Sequence, residues 1–258
     1  MLTPSMPYAL LMLLLLAALA ACTGEANPDA APPAPEAAPA APPDGVLPPD
    51  ARPPEADPAL GAAADSVTVV FFGDSLTAGY GLSDPLAQAY PALLAARLRA
   101  EGLPARVVNA GNSGETSAGG LRRIDWTVRR TPPDVFVLAL GSNDGLRGLP
   151  PEQMEQNLAG ILERVRAARP EARLVVLGAE SLPNYGPDFT GRFREVFPRL
   201  AARYDALFVP FLLEGVAGVE ALNQPDGVHP TAEGHRRMAE VVWPSVAQAV
   251  RERTNARV

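Results

Sequence analysis

From Ser66 onward, short apolar runs alternate five times with stretches of helical periodicity, and this alternation leaves few architectures open. The runs cover 67–72, 105–109, 135–140, 173–178 and 207–211, and each is rich in Val, Leu or Phe rather than alternating with polar residues. A strand that is apolar on both faces has to be covered on both faces, which points to a parallel sheet between two layers of helices. The helical stretches fit that role at 88–100, 117–130, 151–168, 188–203 and 231–253. In open sheets of this kind ligands bind beyond the carboxyl ends of the strands. Three of the four polar segments that stand out in this chain fall there.

The first segment, Gly73-Asp74-Ser75-Leu76, follows the first strand directly and leads into a helix. A serine in that turn is a candidate nucleophile whose neighbouring amides can face developing negative charge; it is equally a residue that caps helices. The second runs from Asn109 to Thr116 and contains Gly111, Asn112 and Gly114. Gly114 has no side chain to cover its N–H, although a loop glycine with positive φ reads the same way. Gly111 and Asn112 are further candidates for substrate contact. The third, Gly141-Ser142-Asn143-Asp144-Gly145, offers the Asn143 amide as a donor to an oxyanion and Asp144 to shape the loop; Asn-Asp-Gly is also an ordinary turn. The fourth places Asp226 three residues before His229, so that the carboxylate can hold Nδ1–H and leave Nε2 free to take a serine proton. One His and one Asp are too few for a metal centre, and no metal or cofactor is expected. His235, the other histidine, reads as a surface or packing residue.

Taken together the four segments resemble the blocks of the SGNH, or GDSL, hydrolase family, over roughly residues 67–250. Leu76-Thr77-Ala78-Gly79-Tyr80-Gly81-Leu82, Ser113-Gly114-Glu115-Thr116-Ser117 and Leu182-Pro183-Asn184-Tyr185-Gly186 are similar to its bacterial thioesterase I / lysophospholipase L1 / arylesterase branch. The resemblance implies a flavodoxin-like three-layer α/β/α fold around a five-stranded parallel sheet. It also implies a Ser75–His229–Asp226 triad, an oxyanion hole made by Ser75, Gly114 and Asn143, and hydrolysis of acyl esters, thioesters or lysophospholipids through an acyl-enzyme. Leu146, Arg147, Leu182, Asn184 and Tyr185, in the loops after the third and fourth strands, are candidates for acyl-chain selection. Two other readings stay open: a carbohydrate O-acetyl esterase, and a surface lipoprotein that uses the fold only for binding.

Before Ser66 the composition changes. Residues 9–21 form an apolar run suited to the core of a secretion signal, giving a segment 1–21 to be removed. It ends Leu19-Ala20-Ala21-Cys22, which resembles the lipobox of bacterial lipoproteins, where cleavage precedes the cysteine and lipid joins its sulfur. A plain cleaved signal and an uncleaved anchor are the alternatives. Residues 22–65 are Pro- and Ala-rich with few large hydrophobes, a linker that spans on the order of 100 Å when extended. The whole formal charge of −7 falls in 23–65, which leaves 66–258, the expected catalytic domain, neutral. A neutral domain behind an acidic segment is unsuited to nucleic acid. The expected enzyme is exported, anchored to a membrane through Cys22 and monomeric.

Overall fold

The computed structural model describes residues 66–103 and 105–257. The expected signal, the Cys22 attachment site and the linker lie outside them. Five strands, β1 (Val67–Gly73), β2 (Ala105–Gly111), β3 (Val135–Ala139), β4 (Arg173–Leu177) and β5 (Leu207–Val209), pair in parallel in the order β2-β1-β3-β4-β5. This is the flavodoxin-like order, in which the chain turns one way after β1 and crosses back to β3.

Side chains alternate across a strand, so β1 serves two cores at once. Val67, Val69 and Phe71 meet α3 (Tyr90–Ala100) and α8 (Ala232–Asn255) on one face. Val70 and Phe72 meet α4 (Ser117–Arg130), α6 (Pro151–Ala168) and α7 (Gly186–Arg203) on the other. The edge strand β2 is only half-buried, as is most of the short β5.

Most elements have a boundary shifted by one or two residues from the sequence expectation, and two of the differences have a proline behind them. The helix expected at 88–100 is split into α2 (Pro85–Gln88) and α3, with Ala89 extended between them. An unbroken helix would set the Pro91 ring against the carbonyl four residues earlier, so the helix restarts with Pro91 in its first turn. The last strand ends at Val209 rather than 211, because Pro210 has no N–H for the ladder. The short helices α1 (Ser75–Ala78) and α5 (Ser142–Leu146) follow β1 and β3 and carry site residues.

The carboxyl ends of β1 and β2 are tied by one ion pair. Arg123 of α4 lies 3.8 Å over the Phe72 ring, and its guanidinium donates to the carbonyls of Gly73 (3.2 Å) and Ala110 (2.9 Å). Its Nε also meets both carboxylate oxygens of Glu115, at 2.8 and 2.7 Å. Because the Glu115 side chain is only 5% exposed, Arg123→Ala strands a buried charge and is expected to cost about 3 kcal/mol of unfolding free energy. Urea denaturation measures this; a loss below about 0.5 kcal/mol, the size of an ordinary surface change, contradicts it.

Candidate active site

Ser75 is delivered by a tight turn at the end of β1. β1 runs to Gly73, and a Cβ there would sit 2.1 Å from Thr77 Oγ1 and 2.8 Å from the Ala139 carbonyl, so only glycine lets the chain turn so soon. Asp74 caps the new helix by accepting the Leu76 N–H at 3.0 Å. Ser75 thus stands at the head of α1, nearly buried, with its Oγ 3.0 Å from His229 Nε2.

The imidazole is held from behind. His229 Nδ1 lies 2.7 Å from Asp226 Oδ2, and the other carboxylate oxygen accepts the Val228 and His229 backbone N–H groups, both at 2.9 Å. The His229 amide, then its ring and the Val228 amide, hold the Asp226 carboxyl down to about 2. An ionised carboxylate on Nδ1–H selects the tautomer whose Nε2 can accept a proton from Ser75.

Two residues not singled out as site candidates complete this arrangement. Gln224 donates from Nε2 to the carbonyls of Tyr80 (2.8 Å) and Pro230 (3.0 Å), while its backbone N–H donates to the His229 carbonyl at 2.7 Å. The Gln224 side chain thereby joins the loop after α1 to the loop bearing the histidine. Tyr80 lays its ring 4.6 Å from that of His229, centroid to centroid.

Ser75, Gly114 and Asn143 line one cavity from the ends of three adjacent strands. Gly114 holds φ +77°, and a side chain there would be strained. Asn143 Nδ2 donates to Asp74 Oδ2 at 3.3 Å. Asp144 turns away from the cavity and binds the backbone N–H and hydroxyl of Ser117, at 2.8 and 2.6 Å, which fixes α5 against α4.

The cavity holds about 500 Å³ and runs from this polar end toward Leu182, Phe211, Leu212, Leu213 and Ala217. Of the residues singled out for substrate contact, Leu146 and Leu182 are in its wall. The others lie elsewhere. Gly111 packs in β2, where a Cβ would come 2.3 Å from the Ala78 nitrogen. Asn112 donates to Glu115, Arg147 to the Gly114 carbonyl at 3.0 Å, and the Tyr185 hydroxyl to the Leu146 carbonyl at 3.1 Å. Asn184 sits with Tyr185 in a 3-10 turn outside the wall.

A hydroxyl facing an oriented imidazole, beside N–H groups open to a cavity, is equipment for acyl transfer, and the fold and motif blocks are those of a serine hydrolase. Residues 71–237 match the GDSL-like lipase/acylhydrolase family, and the chain belongs to it. It is similar to Esterase TesA of Pseudomonas aeruginosa, 44% identical over 72% of this chain and 89% of that one. It also resembles thioesterase 1/protease 1/lysophospholipase L1 of Escherichia coli K12, 38% identical over 69% of this chain and 82% of that one. A crystal structure of TesA superposes with a TM-score of 0.67, at 43% identity, over 70% of this chain and 99% of that chain.

Two buried titratable groups near the site pull stability in opposite directions with pH. Burial pushes Asp74 up from 3.8 to about 7, so its contribution to stability is complete below pH 3.8 and disappears as pH rises through about 7. His235 packs under α3, 1% exposed, with Nδ1 accepting the Tyr90 N–H at 3.2 Å. Burial pushes it down from 6.5 to about 4, so its contribution is complete above pH 6.5 and disappears as pH falls through about 4. In His235→Gln, unfolding free energy is therefore expected to fall less than in the wild type between pH 6.5 and 4. Denaturant titrations across that range check this; parallel pH curves for the two proteins contradict it.

Proposed function

We propose that the protein is an exported esterase that cleaves acyl esters, thioesters and lysophospholipids, with Ser75 as nucleophile. His229 Nε2 takes the Ser75 proton as Oγ attacks the carbonyl carbon, and Asp226 stabilises the imidazolium that forms. The carbonyl oxygen becomes an oxyanion, received by the N–H groups of Ser75 and Gly114 and the Asn143 amide. His229 then returns the proton to the leaving oxygen or sulfur, and the acyl group stays on Ser75. Water, deprotonated by the same imidazole, releases the acid and restores the serine. The leaving group departs past His229, between Tyr80 and Val228, whose side chains stand partly exposed at the cavity.

The observation that carries this reading is the Ser75–His229–Asp226 relay at the head of a long, mostly apolar cavity. Leu182, Leu212, Leu213 and Ala217 in its wall offer a fatty acyl chain apolar contact that an acetyl group cannot use. This favours lipid-type esters over sugar acetates. The apolar run and Cys22 ahead of the domain support export and a lipid tether, from which a monomer could work at a membrane.

Hydrolysis of p-nitrophenyl esters from acetate to palmitate by the full chain and by Ser75→Ala tests the reading. kcat/KM should rise from acetate to medium chains, and Ser75→Ala should lose about 1000-fold or more. Acetate-only turnover would move the assignment to sugar deacetylation, and full activity in the variant would remove Ser75 from the chemistry.

A further inference from the structure

We propose that Asp74 is a positioning residue for the oxyanion hole: as an ionised carboxylate, it aims the Asn143 amide nitrogen at the reacting oxygen. The inference rests on the reading of Asn143 as an oxyanion donor. Asp74 has no exposed surface, and both of its oxygens are engaged. Oδ1 accepts the Leu76 N–H at 3.0 Å, and Oδ2 accepts Asn143 Nδ2 at 3.3 Å. Among the described residues, Asp74 is the only hydrogen-bond partner of the Asn143 side chain. α5 is preceded by Gly141, which supplies no side-chain cap, so no capping side chain at its start orients the amide either.

A carboxamide looks alike from its two ends, and only its partner decides which end faces where. A carboxylate accepts and cannot donate, so it turns Asn143 Nδ2 toward itself. The second hydrogen of that nitrogen is then free for the cavity, whose wall Asn143 forms. With asparagine at position 74, the Leu76 N–H still requires the acceptor end. The new amide therefore presents its NH₂ to Asn143, which has to turn over and bring its own oxygen into the hole. A lone pair there repels the oxyanion that a hydrogen had stabilised.

The chemistry of capping separates this role from the other one Asp74 could fill. Asparagine caps helices as well as aspartate does, so a residue that only capped α1 would tolerate Asp74→Asn. The burial argues the same way. Desolvation pushes Asp74 up to about 7, while the Leu76 N–H and the Asn143 amide pull it back down, with Glu115 adding repulsion and His229 attraction. Folding therefore gains nothing from ionising Asp74 above pH 7, whereas the aim of Asn143 uses the charged form.

The test is a double-mutant cycle in the full chain: wild type, Asp74→Asn, Asn143→Ala and the double variant, assayed for kcat and KM on one p-nitrophenyl ester. Thermal unfolding at pH 8 is followed in parallel. Asp74→Asn is expected to lower kcat about 100-fold with KM nearly unchanged, as removal of an oxyanion donor does. The double variant should be no slower than Asn143→Ala, and Asp74→Asn should melt no lower than the wild type. Near-full kcat in Asp74→Asn alongside a crippled Asn143→Ala would overturn the proposal and leave the oxyanion reading standing. Multiplying losses in the double variant, or a loss of activity that only accompanies a lower melting temperature, would overturn it too. A fully active Asn143→Ala would remove both the proposal and the oxyanion role it rests on.

Discussion

The polar end of the cavity is built around the carboxyl end of β1. This strand is packed on both faces and hydrogen-bonded on both edges, so the point at which it stops is fixed as firmly as anything in the molecule. The chain leaves β1 toward β2 on one side and returns to β3 on the other, which opens a crevice at that end. Gly73, Asp74 and Ser75 enter the crevice from below, Gly114 from β2 and Asn143 from β3. Three groups that need to agree within a fraction of an ångström are thus anchored on three neighbouring strands, which keeps the geometry in place before substrate arrives.

That geometry is bought with charge in places where burial disfavours it. Glu115 is paired with Arg123 beneath the Gly114 loop, Asp144 is held against Ser117, and Asp74 lies next to Ser75, bonded to Asn143. Asp226 is the exception. It is fed by two backbone N–H groups and the imidazole, so it stays ionised far below neutrality. The difference fits the proposed roles: Asp226 stays negative while His229 gains a proton, Asp74 aims Asn143, and Glu115 and Asp144 hold loops in place.

The layout of the fold was legible because its signals are local. Apolar runs free of alternation gave the parallel sheet, and two of the shifted boundaries involve a proline whose effect depends on the neighbouring backbone, Pro91 and Pro210. Asp226 and His229 could be paired from sequence because a single turn joins them. Asp74 and Gln224 could not, since they act through partners 69 and 144 residues away. Phe211, Leu212 and Leu213 were also missed as cavity wall, because an apolar loop residue looks the same in sequence whether it faces a core or a substrate. Arg147 and Tyr185 follow the right strands, and their side chains bond the carbonyls of the cavity-wall residues Gly114 and Leu146 instead of forming the wall themselves.

The most direct test of this account is a crystal structure of the enzyme after reaction with an alkyl p-nitrophenyl phosphonate, whose tetrahedral phosphorus mimics the acyl-transfer intermediate. Phosphorus should be bonded to Ser75 Oγ, with one phosphonyl oxygen within hydrogen-bonding distance of the Ser75 and Gly114 N–H groups and Asn143 Nδ2. The alkyl chain should run toward Leu182 and Leu213. An adduct on another residue, or on Ser75 with that oxygen turned away from Gly114 and Asn143, would contradict it.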